Sequence, residues 1–392
     1  MKFDFDIIRP YNDDEIRPAM ERISNSPEFY LVMKWLLPEL TKDEIKSKVD
    51  SINSTYEFQK EFMYVGIRKV VEKTITALTS SGFEKIDARG SYLYIANHRD
   101  ILLDSGLLNV LLFEKKFDTT QITFGSNLME GLMVDVGKAN KMFTVFRGGT
   151  RKEMYENSLR LSAYIRNAIT KLNDSVWIAQ RAGRTKNGHD LTQTGVLKMF
   201  AQSGSNNFVA CFNELNLTPI SISYEYEPCD YFKAQELHLK QLNGNYNKQE
   251  DEDLVSLIKG VTDYKGRIHL AATNPIEEHE LKVIDENNTT NNDKIKALCL
   301  LIDQRIYTNY KLWPTHFIAT DILDSSSKNA NEYTFEEKVK FEKIMALRLE
   351  KMIGNQIELR RIYLEIYATP VKVCANNTTT PLETTYATGK EI

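Results

Sequence analysis

Short apolar runs alternate with longer amphipathic stretches from residue 88 to about 320, and that alternation leaves the chain few architectures. The runs are Tyr92–Ala96, Gln121–Phe124, Phe143–Phe146, Ser175–Ala179, Pro219–Tyr224 and Arg267–Ala272. Each has the length of a buried strand, and helical spacing fills several intervals, most clearly Glu153–Leu172. A parallel neighbour needs a crossover, and a helix is the usual one. The expected fold class is α/β: a mostly parallel sheet covered by helices.

Both flanks read as helical. Residues 1–87 form an expected N-terminal helical subdomain, with Pro10 and Pro18 punctuating its start. Phe29, Leu31, Val32, Trp35, Leu36 and Leu37 make one apolar helix, closed by Pro38. A longer helix carries Phe58, Phe62, Met63, Val65, Ile67, Val70, Val71 and Ile75. Residues 88–320 are the expected catalytic unit and 321–374 the C-terminal helices, broken at Gly354-Asn355. From Ala375 to Ile392 the chain is Thr-rich without an apolar face and reads as a disordered tail. The polar stretches Asn243–Asp253 and Asp285–Asp293 read as exposed loops.

Charge and cysteine content narrow the function. The net charge of -4 gives no global attraction to nucleic acid, so any anion site is local. Cys211, Cys229, Cys299 and Cys374 are scattered, without a C-x-x-C pair. They read as reduced thiols of a cytosolic protein rather than a zinc site, and no metal is expected. Lys2, Asp4 and Asp6 stand where a secretory signal would carry apolar residues. No apolar stretch approaches the ~20 residues of a spanning helix.

In open α/β sheets ligands bind beyond the carboxyl ends of the strands. Three expected strand ends carry chemistry. After Tyr92–Ala96 comes Asn97-His98-Arg99-Asp100, with Asp104 about one turn further. A histidine oriented by a carboxylate takes a proton from a hydroxyl near neutral pH. Asp100 and Asp104 compete for that role. Asp100 stands where a helix begins and could equally be its N-cap; Asp104 is better placed to reach back. After Phe143–Phe146 comes Arg147-Gly148-Gly149-Thr150-Arg151-Lys152, and after Ser175–Ala179 comes Arg181-Ala182-Gly183-Arg184-Thr185-Lys186. Glycines that open the backbone, a helix N-terminus and nearby cations suit a phosphate. Either loop alone could be an ordinary turn with solvated charges. Together with the His98 loop they give a general base beside an anion cradle. No nucleophile elbow, P-loop or H-E-x-x-H stretch is present, which argues against a serine hydrolase, an NTPase and a zincin.

Four ordered stretches, NHRDILLD, FTVFRGG, VWIAQRAGRTK and TPISISY, resemble the motif blocks of the glycerophosphate/lysophosphatidate acyltransferases, the PlsC-like family, from Tyr92 to Tyr224. The resemblance implies His98 as general base on an acceptor hydroxyl, with Asp104 or Asp100 orienting it. It implies acceptor binding by Arg147, Gly148, Gly149, Arg181, Gly183, Arg184 and Pro219. The acyl donor would be acyl-CoA or acyl carrier protein, with no cofactor and no covalent intermediate. The acceptor would be a lipid, and the protein cytoplasmic and peripheral on the inner face of the cytoplasmic membrane. This sequence departs from the family at two places: Asp104 lies one residue beyond the usual His-to-Asp spacing, and Ala182 replaces a Glu. The alternative is a protein of this fold that binds lipid or acyl carrier protein without the activity. A further alternative is a hydrolase in which His98 activates water.

Overall fold

The computed structural model describes residues 3–128, 130–249 and 252–378. Its centre is a seven-stranded sheet in the order β1-β7-β6-β2-β5-β3-β4. The strands are β1 Ile75–Ser81, β2 Leu93–Ala96, β3 Gln121–Gly125, β4 Met142–Val145, β5 Val176–Ala179, β6 Leu217–Tyr224 and β7 Gly266–Ala272. All neighbours pair in parallel except β6 and β7. The architecture is α/β, with a mostly parallel sheet covered by helices.

Strand β2 shows why the sheet is two-sided. Its side chains alternate across the pleat, so Leu93 and Ile95 join one apolar cluster and Tyr94 and Ala96 the other. The first cluster is closed by helices Arg151–Thr170, Thr194–Ala201 and Asn291–Thr308. The second is closed by Val65–Thr74 and Leu103–Glu114.

Three sequence expectations need correction. The segment 1–87 is not all helix: among the described residues β1 is an edge strand paired with β7 alone. The apolar spacing of Ile67, Val70 and Val71 runs on into Ile75, which caps the helix and begins the strand. The boundary at residue 87 therefore cuts through the sheet. The stretch Asp285–Asp293 is mostly helix, the end of Glu278–Asn287 and the start of Asn291–Thr308. Its polar residues include exposed helix faces, the buried Asn288, and the cap Thr290, whose hydroxyl accepts from Asp293 N–H at 3.2 Å. In the tail, Ala375–Thr378 continue the last helix, and residues 379–392 lie outside the described residues.

The antiparallel β6–β7 pair positions the site. The chain leaves β6 and enters β7 at the same end of the sheet. Helices Asp230–Asn243 and Glu252–Thr262 therefore lie at that end, where β2 also finishes. The C-terminal helices Pro314–Leu323, Phe335–Leu349 and Gln356–Thr378 pack there too, through Tyr231, Phe341, Tyr363 and Tyr367.

Candidate active site

Four parallel strands, β2 to β5, end on one rim, and the loops leaving them build the site. The first loop is pinned on all sides. Asn97 donates to Ile222 C=O at 2.9 Å and accepts from Ile222 N–H at 2.8 Å, extending β2 along β6 by a side chain. His98 N–H donates to Asp190 at 2.8 Å, and Thr185 N–H donates to His98 C=O at 2.9 Å. The His98 loop and the Arg181–Asp190 loop are thereby locked together.

His98 Nδ1 lies 2.9 Å from Asp104 Oδ2. The same oxygen accepts from Arg99 N–H at 2.6 Å and Asp100 N–H at 3.0 Å, and Asp104 Oδ1 accepts from the Tyr224 hydroxyl at 2.7 Å. With so many donors around it, the buried side chain is held in one orientation. Its contact fixes Nδ1 and leaves Nε2 as the nitrogen available to a ligand. Asp100 does something else. Its Oδ1 accepts from Leu102 N–H at 2.9 Å and Leu103 N–H at 2.8 Å, capping the turn that opens the helix. Its Oδ2 is buried without a hydrogen bond among the described residues. Burial, and the charge of Asp104 beside it, push the Asp100 carboxyl up from its ordinary value.

Beneath the loop lies a buried set of balanced charges. Arg99, fully enclosed, lies 3.4 Å from Glu227 and 3.6 Å from Asp190, with Tyr310 stacked 5.5 Å away. Lys233 donates to Arg99 C=O at 2.8 Å and Glu227 at 2.6 Å. Truncating one member would leave a charge buried and unpaired, so this set fixes the backbone that carries His98.

A cleft opens over His98 in two arms. One, of about 620 Å³, is largely apolar and is lined by Phe146, Met154, Leu161, Ile178, Val196 and Met199. The other, of about 420 Å³, is charged and is lined by Arg184, Lys186, Glu236, Lys240, Lys248 and Asp253. His98, Trp177, Arg147, Arg181, Ala182 and Gly183 border both. The Trp177 ring meets His98 edge-on at 5.7 Å, and its indole N–H is buried without a hydrogen bond among the described residues. A larger concavity of about 860 Å³ lies at the other end of the sheet, beside Gln121, Lys141 and Asp174. No histidine or cysteine lines it, so its size does not make it the site of chemistry.

The expected binding residues divide. Arg147 is exposed at the junction of the arms and forms no ion pair among the described residues. It packs across Gly125, where a Cβ would come within 3.3 Å of its guanidinium. Gly148 (φ 81°) and Gly183 (φ 73°) turn the backbone at the cleft wall. Gly149 does not line it, and Thr150 accepts the Glu153 N–H at 3.3 Å in a capping box. That helix end already holds a carboxylate, Glu153, where an anion was expected. Arg181 turns back to donate to His189 C=O at 3.1 Å. Arg184 is buried at the cleft with Nη1 unbonded among the described residues. Pro219 is not in the cleft: it is enclosed in β6 beside Ile95, its carbonyl accepting from Thr273 N–H at 3.1 Å.

No family model matches the chain, and no curated protein matches it. Among solved structures it is similar to the 1-acyl-sn-glycerophosphate (LPA) acyltransferase PlsC from Thermotoga maritima. That match is 12% identical, covers 74% of this chain and 96% of that one, and has a TM-score of 0.36. It bears on no residue of the site.

Tyr224, Asp190 and Trp177 join His98 here without any motif having marked them. Tyr224 closes the stretch TPISISY, and a polar residue ending an apolar strand was the one available signal. Asp190 and the lysines at positions 240 and 248 reach the site only through the fold.

Proposed function

We propose that the chain is an acyltransferase moving a fatty acyl group from a thioester to the hydroxyl of a phosphate-bearing lipid. The observation that carries this reading is the place of the His98–Asp104 pair, at the junction of an apolar arm and a cationic one. Such a junction suits a reaction between amphiphiles, with apolar chains on one side and phosphate on the other. Nε2 of His98 takes the acceptor's proton as its oxygen attacks the thioester carbon. Asp104 holds the ring and stabilises the imidazolium, and the thiolate then leaves with that proton. No acyl-enzyme is formed. Arg147, with Gly148 beside it, receives the acceptor phosphate. The acceptor is 1-acyl-glycerol 3-phosphate or glycerol 3-phosphate, and the donor is acyl-CoA or acyl carrier protein.

Such an enzyme works at a membrane surface. No helix of the described residues is long and apolar enough to cross one. The helix Pro27–Leu36 exposes Leu31, Val32 and Trp35, an apolar face suited to lying on lipid. The test is thiol release from acyl-CoA with lysophosphatidate present, together with mass spectrometry of the lipid formed. His98→Ala is expected to lower kcat by about 10²–10⁴ with the fold intact. Activity within a few-fold of wild type would remove the base. Silence of the wild type across donors and acceptors would favour the second reading, a lipid-binding protein of this fold. That reading is motivated by Ala182, whose N–H is held by Gln193 Oε1 at 2.9 Å in a loop lacking the carboxylate.

A further inference from the structure

Acyl transfer from a thioester puts negative charge on a carbonyl oxygen. As an acceptor oxygen adds to the carbonyl carbon, the electron pair of the C=O bond moves onto its oxygen, and enzymes meet that charge with fixed N–H groups. Backbone amides commonly serve, but amides on both loops around His98 are already engaged. His98 N–H donates to Asp190, and Arg99 N–H and Asp100 N–H donate to Asp104. Ala182 N–H donates to Gln193 Oε1, and Thr185 N–H donates to His98 C=O.

The indole N–H of Trp177 is unspent. The residue is 3% exposed, and no atom among the described residues accepts from Nε1. A tryptophan N–H so enclosed ordinarily has an acceptor. Trp177 borders both arms of the cleft and meets the His98 ring edge-on at 5.7 Å. The acceptor it lacks in the protein can therefore come with a ligand that lies against His98. The side chain is also held still. Trp177 stands inside β5, in register with Tyr94 of β2 and Ile122 of β3, and its carbonyl accepts from the Thr123 hydroxyl at 3.3 Å. Val176 and Ile178, its neighbours in the strand, belong to the apolar cluster on the opposite face. A donor fixed in a strand needs no reorganisation when the charge appears.

We propose that Trp177 is the oxyanion donor of this site, its indole N–H bonding the thioester carbonyl oxygen as the acceptor oxygen adds to the carbon. This rests on the acyl-transfer reading and gives it a second catalytic group. His98 Nε2 takes the hydroxyl proton while the carbonyl pair moves onto the oxygen bonded to the indole. On collapse the C=O bond re-forms, the carbon–sulfur bond breaks, and the thiolate leaves with the proton. The indole keeps its own proton throughout. Base and oxyanion donor are then adjacent rings, so one contact sets the thioester against the acceptor hydroxyl.

The test removes the N–H and keeps an aromatic ring. Trp177→Phe does so with some loss of bulk. Site-specific replacement of Trp177 by benzothienylalanine, in which sulfur stands for N–H, keeps the shape and decides the matter if the Phe variant melts early. The assay is steady-state thiol release from acyl-CoA with lysophosphatidate, and the melting temperature reports the fold. In both variants kcat is expected to fall by about 10²–10³-fold, with donor and acceptor KM within about twofold of wild type. The pH profile of kcat/KM keeps its midpoints, because His98 is untouched. A donor analogue with a thioether in place of the thioester lacks the carbonyl and binds wild type and variants alike. A kcat within about threefold of wild type in the benzothienylalanine variant overturns the proposal. So does a fall in kcat with a displaced pH profile, which makes Trp177 a support for the His98 ring, or a rise in KM at unchanged kcat. A wild type that transfers no acyl group to any acceptor removes the acyl-transfer reading, and the donor role with it.

Discussion

Asp104→Asn and Asp100→Asn should separate two carboxylates that stand four residues apart in one loop. Asn at 104 can keep its oxygen toward Arg99 N–H, Asp100 N–H and His98 Nδ1, which now lie at 2.6, 3.0 and 2.9 Å. Its amide can face Tyr224, whose hydroxyl accepts as well as donates. The fold should survive. What is lost is the negative charge against the imidazolium that forms as the acceptor gives up its proton. A charge-assisted hydrogen bond is worth roughly 1.5–3 kcal/mol, about twice a neutral one. Only about half of that is lost when the bond is kept without its charge, so the expected loss in kcat is about 4-fold to 12-fold, with donor and acceptor KM little changed. Asp100→Asn keeps the cap, because Asn also accepts from Leu102 N–H and Leu103 N–H. It removes a carboxyl that burial already pushes toward the neutral form, so kcat should stay within about twofold of wild type. The assay is steady-state thiol release from acyl-CoA, with circular dichroism confirming both folds. Equal losses at the two positions, or the larger loss at Asp100, would refute the assignment of Asp104 as the orienting group.

Tyr224→Phe removes the donor to Asp104 Oδ1 and leaves that oxygen short of a partner, so kcat should fall by about tenfold and stability by ~1–2 kcal/mol in urea unfolding. An unchanged kcat would make Tyr224 structural only. Gly260→Ala places a Cβ 2.2 Å from Asp100 Oδ2. It should cost about 1–3 kcal/mol despite the better helix propensity, read as a lower melting temperature. Asp303, buried and accepting from Thr192 N–H at 2.8 Å, has its carboxyl pushed up to about 7 by desolvation. Its folded form holds a proton that the unfolded chain has released, so its contribution to stability falls as pH rises from about 4 through about 7. Asp303→Asn should therefore gain roughly 1–3 kcal/mol over wild type at pH 8 and lose that advantage near pH 4 in denaturant titrations.

How much of this was legible in the sequence follows from range. The central strands were readable because both faces are covered, which makes them apolar throughout, as in Leu93–Ala96. β1 was not, because an edge strand needs few apolar residues and Ile75 also fits the helix before it. His98 and its two carboxylates were readable because they share one loop. Choosing between the carboxylates required knowing that the helix starts at Leu103, which leaves Asp100 in the turn before it, accepting from Leu102 N–H and Leu103 N–H. Pro219 shows the opposite case: it marks a strand, and only the sheet order places it between β2 and β7 and away from the cleft lining. Asp190, Lys240 and Lys248 depend on contacts across the fold, and no local pattern distinguishes them from solvated charges.

The reversal at β6 and β7 has a consequence for how such a scaffold can change. Both attachment points of the intervening excursion sit at one edge of the cleft, so residues can be gained or lost within it without shifting any strand's register. The same excursion carries Glu227 and Lys233, which hold Arg99 from below, so any exchange of it must keep that pair or release the loop that carries His98.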